Sequence, residues 1–222
     1  MHEFPTPSPI SVVLDVPAGR VRFIAADRPD TAVEVLPADA AKDRDVKAAQ
    51  RTAVDYRDGV LRITTPTGNR LLSPGGAVEV TVGLPAGSHV EAEAAAAEVR
   101  GVGRLGEVAV TGAYGAIKLD EAAGAHLTTA AGDITVGRLT GPARISTDQG
   151  DIDIAEATRG TLVLRTQAGQ VRVGAATGVS ASLDAGTGHG RIHNSLTNTG
   201  GAAPQLAIHA TTAHGDITAR SL

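Results

Sequence analysis

Four histidines in the last part of the sequence are the residues best suited to carry chemistry. His189 and His214 each precede a glycine, and His193 and His209 lie in the same two segments. Imidazole nitrogens bind zinc, copper and nickel, so histidines on neighbouring strands could hold a transition metal. No cysteine or carboxylate completes a ligand set, and histidines exposed on strands are the simpler interpretation. We therefore predict no metal site and no cofactor, with these four residues as the candidates if a metal binds.

Aspartates form a second column of candidate ligands. Asp133, Asp151 and Asp216 each follow a glycine directly. Calcium-binding β-rolls use turns of a related kind, but those turns carry more than one glycine. Here each turn has a single glycine, and Gln170 and Arg191 occupy the equivalent positions in two other repeats. We predict that these aspartates stabilise turns and do not bind calcium.

These columns exist because the sequence repeats a glycine turn that ends in an aliphatic residue. The closing aliphatic residues are Val99, Ile117, Ile134, Ile152, Val171, Ile192 and Ile217, in steps of 18, 17, 18, 19, 21 and 25 residues. The turn glycines are Gly115, Gly132, Gly150, Gly169, Gly190 and Gly215. A period this short is typical of a solenoid, in which a repeat buries its apolar side only when its neighbours stack on it.

A threonine stands three residues before most of these glycines. Its recurrence predicts a structural ladder in which stacked threonines hydrogen-bond along one face of the solenoid. The threonines are Thr129, Thr147, Thr166, Thr187 and Thr212.

The segments between the glycines alternate apolar and polar residues, which indicates short strands. At about 3.3 Å per residue, one repeat fits a coil with three short faces, and successive coils form parallel strands about 4.8 Å apart. We predict an all-β chain, a single-chain parallel β-helix (β-solenoid) of about six or seven coils over residues 90–222. A left-handed helix needs an aliphatic residue every six positions, a spacing that fails at Thr140 and Ser146. A right-handed or irregular coil is favoured, with the left-handed form as the alternative.

Residues 1–89 are predicted to form an all-β lobe that caps the first coil, because an open coil end exposes unpaired strand edges. A hairpin is expected to turn at Asp58 and Gly59, and a short polar helix or tethered loop is expected within residues 38–51. The remaining predicted elements are strands over 10–16, 20–25, 31–36 and 77–84 and a loop over 65–76.

Three motifs link the chain to a known family. They are the repeat "t-x-x-G-D-I-x-V", seen at Thr129–Val136, the segment Val16–Phe23, and Gly83–Ser88 just before the coils. The chain resembles the bacterial "putative adhesins" of unknown function, which are related to the adhesin-head GIN domains. The resemblance implies a β-solenoid in a non-enzymatic interaction protein, often tied to the cell surface. It brings no catalytic residues.

Composition excludes several kinds of partner. Hydrophobic residues make up 42% of the 222 residues but aromatic residues only 2%, which suits a narrow interior of small aliphatic side chains. The net charge is −4 and no basic run occurs, so we expect neither nucleic acid nor an anionic membrane surface as a partner. Cysteine is absent, which excludes disulfides and thiol chemistry.

The first residues carry no signal for export. The start, Met1–Pro9, lacks a positive charge cluster and an apolar run. No segment reaches the length of about 18 apolar residues that a membrane span needs. We expect a cytoplasmic protein without membrane insertion.

No enzyme motif in the sequence has the structural context that the motif requires. The segment Gly101–Gly106 spells G-x-G-x-x-G but precedes no predicted helix, so it is interpreted as a coil corner. Tyr114 is the one aromatic residue of the coils, whereas enzymes that act on polysaccharides stack sugars on aromatic side chains. We predict that the protein is not an enzyme.

Two functions remain. The first is a binding or scaffold protein that presents a solenoid face to a protein partner, with the insertion 194–204 and the loop 65–76 as contact candidates. The alternative is a structural protein that dimerises or polymerises through its coil ends. For the last coil, which ends at Ile217–Leu222, we expect either an uncapped interface or a strand tucked under the insertion.

Overall fold

The computed structural model describes residues 1–66, 76–198 and 204–222. Strands make up 71% of the chain and helix 4%, which confirms the all-β prediction. Contacts divide the chain into two compact units, Met1–Gly115 and Ala116–Leu222. The boundary expected between residues 89 and 90 stays a prediction, because contact density does not define where a repeat begins.

The described residues of the first unit, 1–66 and 76–115, form seven strands and one helix. They are β1 (His2–Pro5), β2 (Ser11–Ala26), β3 (Asp30–Pro37), α1 (Asp43–Arg51), β4 (Ala53–Arg57), β5 (Val60–Thr64), β6 (Val78–Pro85) and β7 (His89–Tyr114). Strand β2 is central: it pairs in parallel with β7 along its length, with β5 through its first half and with β6 through its second half. Strand β4 runs antiparallel to β5, and β3 runs antiparallel to both β6 and β1.

The local elements of this unit follow their sequence signals. The hairpin between β4 and β5 turns at Asp58 and Gly59, whose φ angles of 51° and 76° are those of the turn expected there. The helix occupies only the second half of the predicted stretch. It is fixed by Asp45, a buried carboxylate whose Oδ1 accepts a hydrogen bond from the backbone N–H of Ala77 at 2.9 Å.

The regular elements of the second unit are all strands over its described residues, 116–198 and 204–222. They are β8 (Ile117–Ala131), β9 (Ile134–Leu139), β10 (Ala143–Gln149), β11 (Ile152–Ala157), β12 (Gly160–Ala168), β13 (Val171–Ala175), β14 (Ala181–His189), β15 (Ile192–Ser195), β16 (Leu206–His214) and β17 (Ile217–Ser221).

These strands form two open parallel ladders. Ladder A runs from the second half of β8 through β10, β12 and β16 to β14. Ladder B runs from the first half of β8 through β9, β11, β13 and β17 to β15. A repeat thus contributes one strand to each ladder, so the expectation of three short faces per repeat is wrong. Most corners hold only two or three residues, which is too few for a third strand.

The order of the ladders departs from the order of the chain. The last repeat, β16 and β17, lies between the repeat of β12 and β13 and that of β14 and β15. We call β16 and β17 the inserted repeat and β14 and β15 the terminal repeat. Strand β17 therefore does not end ladder B, because it lies between β13 and β15.

A polar residue explains why the terminal repeat takes the outer position. In register, Asn194 of β15 follows a column of inward-facing aliphatic residues. That column is Leu119, Val136, Ile154, Val173 and Ala219. An amide buried without partners costs about 1–3 kcal/mol, so the repeat that carries it is best placed last.

Part of each predicted contact segment lies outside the residues that the structure describes. Residues 67–75 of the loop 65–76 and residues 199–203 of the insertion 194–204 are not described.

Candidate functional site

Five of the predicted turn glycines stack in one column of the second unit. Their order is Gly132, Gly150, Gly169, Gly215 and Gly190. Gly150 has a φ of 145°, and a Cβ there would collide with the carbonyl oxygen of Gly132. In the first unit, a Cβ on Gly115 would meet the carbonyl oxygen of Ala97 in the same way. The close approach of neighbouring backbones therefore requires glycine at these turns.

Hydrogen bonds from the threonine column hold the neighbouring backbones at this short distance. Thr166 donates its hydroxyl hydrogen to the carbonyl oxygen of Gly150 at 3.0 Å, and Thr212 to that of Gly169 at 3.0 Å. Thr187 donates likewise to the Gly215 carbonyl oxygen at 3.0 Å. Since a hydroxyl has one hydrogen to donate, these threonines are not donors to one another. The threonine column thus joins neighbouring repeats through the turn carbonyl groups, and its side chains point inward beside the turn. The other two members of the column, Thr129 and Thr147, are buried beside the same turns.

The aspartates that follow the glycines also bind backbone. Asp133 Oδ1 accepts a hydrogen bond from the N–H of Asp151 at 2.8 Å, and Asp151 Oδ1 accepts one from the N–H of Gln170 at 2.8 Å. Asp216 accepts from the N–H of Arg191 at 2.8 Å, and this bond holds the pKa of the Asp216 carboxyl below its usual value. These carboxylates stabilise turns, as predicted.

The four candidate histidines do not converge on one point. The rings of His189 and His214 stack with centroids 4.9 Å apart and planes 3° from parallel, as expected from their register. His209 Nδ1 lies 3.2 Å from Asp184 Oδ2, and His193 lies on ladder B. Within residues 1–66, 76–198 and 204–222, no three His, Asp or Glu side chains are grouped closely enough to hold a metal ion.

Sequence reasoning missed a pair of arginines on the outward side of ladder A. Arg144 and Arg165 lie on the adjacent strands β10 and β12, and both are exposed. Neither forms a hydrogen bond or an ion pair within the described ranges. We call the outward side chains of ladder A the arginine face; its central members are His126, Thr128, Arg144, Ser146, Val163, Arg165, His209 and Thr211. The alternating pattern places each of them outward, but only the pairing of strands brings them together.

The family of the chain follows from its match to a family model. The model described as Toastrack DUF4097 matches residues 11–221, nearly the whole chain. The chain belongs to the Toastrack DUF4097 family. The predicted membership in a family of adhesin-like proteins of unknown function is thereby confirmed.

Solved structures similar to this Toastrack chain are known from bacteria. A "putative adhesin" from Parabacteroides distasonis shares 14% identity with a TM-score of 0.51, covering 98% of this chain and 95% of that one. A "putative adhesin" from Bacteroides fragilis shares 10% identity with a TM-score of 0.45 over the same shares of both chains. A "putative lipid binding protein" from P. distasonis shares 10% identity with a TM-score of 0.40, again over 98% and 95%. At these identities the likeness concerns the fold.

None of these relatives is described as an enzyme. No curated protein matches the sequence. Within the described part of this Toastrack chain, no helix combines the length and hydrophobicity that crossing a membrane requires.

Proposed function

We propose that this Toastrack chain is a non-catalytic binding scaffold that presents the outward side of a parallel β-solenoid to a protein partner. The observation that carries the proposal is that polar side chains at the turns connect neighbouring repeats. Threonine hydroxyls and aspartate carboxylates of one repeat bind the backbone of the next, which fixes the relative position of neighbouring strands. A rigid sheet with outward side chains at fixed spacing is suited to recognition, because little conformational entropy is lost on binding. The number of coils, about six or seven, is part of this proposal.

The distribution of reactive groups favours binding over catalysis. A general base or nucleophile needs a partner within hydrogen-bond reach in a shaped cavity. Here His209 contacts Asp184 on an exposed sheet face, and His189 and His214 contact each other. The names of the structural neighbours, adhesins and a lipid-binding protein, agree with a binding role.

A direct binding experiment tests the proposal. The purified chain is immobilised, captured proteins are identified from an extract of the source bacterium, and each candidate is purified and titrated against the chain. We expect saturable binding that is weakened by a charge-reversing substitution on one exposed face, either Arg144→Glu on ladder A or Arg220→Glu on ladder B. Binding that no surface substitution alters, or that disappears once the candidate is purified, would contradict a scaffold function.

Self-assembly through a ladder end is the second candidate, and the position of Ile192 favours it. This residue lies on β15, the last strand of ladder B, and its side chain is 44% exposed. A strand edge with an exposed apolar residue is a template for pairing with another chain. The surface for dimerisation or polymerisation would then be the terminal repeat. The contact segments 194–204 and 65–76 and the cytoplasmic location stay predictions.

A further inference from the structure

We infer that the arginine face docks an extended, acidic segment of a protein partner, with Arg144 and Arg165 each binding one of its carboxylates. This inference rests on the proposed scaffold function and gives it a surface and a ligand chemistry.

The charge distribution of the second unit leads to this face. Most of its arginines are engaged: Arg138 lies 3.7 Å from Glu156, Arg172 3.5 Å from Asp151, and Arg191 3.3 Å from Asp216. A further arginine, Arg159, donates to the carbonyl oxygen of Thr140 at 2.9 Å.

Three arginines of this unit, Arg144, Arg165 and Arg220, have no such partner among the residues that the structure describes. Two of the three lie on adjacent strands of one face, in a chain whose net charge is −4. A local surplus of positive charge in an acidic chain marks a place for an anionic group.

The spacing of the two arginines suits an extended peptide. Arg144 is paired with Val163, and Arg165 with Ser146, so the two arginines are diagonal neighbours. One strand spacing and two residues separate them, which places their Cα atoms about 8 Å apart. Carboxylates on alternate residues of an extended chain are about 7 Å apart, and the long arginine side chains span the difference. Each guanidinium can then bind a carboxylate through two parallel hydrogen bonds.

The surroundings of the pair match a peptide better than a sugar or a nucleic acid. Ser146 donates to the Thr128 hydroxyl at 3.3 Å, and Thr211 is exposed beside Arg165, so hydroxyl groups are available to peptide N–H and C=O groups. No Phe, Tyr or Trp side chain lies on this face of the described strands to stack a sugar or a base.

The acidic residues near the face have partners of their own. Asp148 accepts a hydrogen bond from the Gln167 amide at 2.8 Å, and Asp184 lies beside His209. Asp184 lies two strands away from Arg165, whereas Asp148 is a diagonal neighbour of Arg165 and its carboxylate binds the Gln167 amide.

A peptide titration tests the inference. The probe is a fluorescein-labelled peptide of about nine residues in which Glu alternates with Ser, and fluorescence anisotropy is recorded at about 50 mM salt, where screening is weak. The same peptide with Gln in place of Glu is the ligand control. We expect the double variant R144A/R165A to bind the Glu peptide at least about tenfold more weakly than wild type, since two charge-assisted contacts are lost.

The variant Arg220→Ala is the matched protein control, because Arg220 is also exposed and has no charged partner among the described residues, but lies on ladder B. It should leave affinity within about twofold of wild type. Equal binding of the Gln peptide, or an equal loss with R220A, would overturn the inference. So would heparin binding through Arg144 and Arg165 when the Glu peptide does not bind. Thermal unfolding of each variant checks that the fold is kept, as expected for exposed positions.

The peptide titration and the test of the scaffold function can fail independently of each other. If a purified partner binds wild type and R144A/R165A equally well, the scaffold function stands and this inference fails. If the Glu peptide binds through the two arginines while no protein partner binds directly, the binding of carboxylates by Arg144 and Arg165 stands and the scaffold function fails.

Discussion

The hydroxyl of Thr147 lies 3.2 Å from the carbonyl oxygen of Gly132 in the neighbouring repeat and 3.2 Å from that of Gln149, and it shares its one hydrogen between them. The same relationship links Thr166 with Gly150 and Thr212 with Gly169. The glycine lets two backbones approach, and the threonine satisfies the carbonyl that the approach buries. The column therefore joins repeats through backbone groups, and its threonines are part of the core.

Replacing Thr147 by valine removes this donor at nearly constant volume. The carbonyl oxygen of Gly132 loses a partner in a buried site, so we expect the free energy of unfolding to fall by about 1–3 kcal/mol. Urea unfolding measures the change. The control is Thr161→Val on an exposed strand position, which should change stability by less than about 0.5 kcal/mol. Equal effects at the two sites would show that the hydrogen bond contributes nothing.

Replacing Gly150 by alanine tests the close approach of the turns. The added Cβ meets the Gly132 carbonyl oxygen at a φ of 145°, and we expect a loss above about 3 kcal/mol or failure to fold. Gly186 is the matched control, since a Cβ there has nothing within 4 Å. Gly186→Ala should be neutral or stabilising by up to about 1 kcal/mol. A well-folded Gly150→Ala protein would contradict the stacked-glycine geometry.

The inward column of ladder B predicts an asymmetry between two neighbouring positions. Ala219→Asn places an amide in a buried site and should cost about 1–3 kcal/mol in unfolding free energy. Asn194→Ala, at the paired position of the terminal repeat, should cost less than about 1 kcal/mol, because Asn194 is exposed there. Chemical denaturation of both variants measures the two changes. A larger loss of unfolding free energy in Asn194→Ala than in Ala219→Asn would contradict the outer position of the terminal repeat.

Lysine substitutions separate the exposed end from the buried one. Ile217 is 1% exposed, so Ile217→Lys should unfold the second unit or destabilise it by several kcal/mol, about 3 or more. Ile192→Lys should leave the fold intact and abolish any self-association that occurs through the terminal repeat. Light scattering over about a hundredfold range of concentration measures the mass of each protein. A concentration-dependent mass that Ile192→Lys leaves unchanged argues against assembly at this end, as does a monomeric wild type.

Acid sensitivity follows from Asp216. The hydrogen bond from the N–H of Arg191, with the nearby Arg191 charge, lowers the pKa of this carboxyl from its usual 3.8. A lowered pKa in the folded state gives a stabilising contribution that is complete above the unfolded value and is lost as the pH falls through the folded value. We expect wild type to be more stable than Asp216→Asn above about pH 4, with the difference shrinking at lower pH. Urea midpoints across this range measure it; a constant difference would contradict the assignment.

Part of the fold could be predicted because it depends on local sequence. Alternation fixed which side chains face inward, and the glycine spacing fixed the turns. Together they predicted the adjacency of His189 and His214. The hairpin at Asp58 and Gly59 was predictable for the same reason, since positive φ angles favour these residue types.

The order of repeats could not be predicted from periodicity. Strand β12 can pair in register with either β14 or β16, and adjacency in the chain favours β14. The one available signal was Asn194, a polar residue where the other repeats have aliphatic side chains. The arginine face was missed for a related reason, because its members come from different repeats and meet only when the strands pair.

The most direct test of this account is the order of the strands in ladder A, on which the terminal repeat and the end of the arginine face depend. The chain has no cysteine, so pairs can be introduced cleanly. Thr161 and Ala207 are paired neighbours, with Cα atoms about 4.8 Å apart, within reach of a disulfide. Thr161 and Ser182 lie one strand further apart, at about 10 Å, beyond that reach.

After mild oxidation, we expect the double variant Thr161→Cys/Ala207→Cys to form an intramolecular disulfide and Thr161→Cys/Ser182→Cys to remain reduced, as read by thiol labelling and mass spectrometry. The reverse result, a disulfide between residues 161 and 182 only, would show that the repeats stack in chain order and would contradict the account.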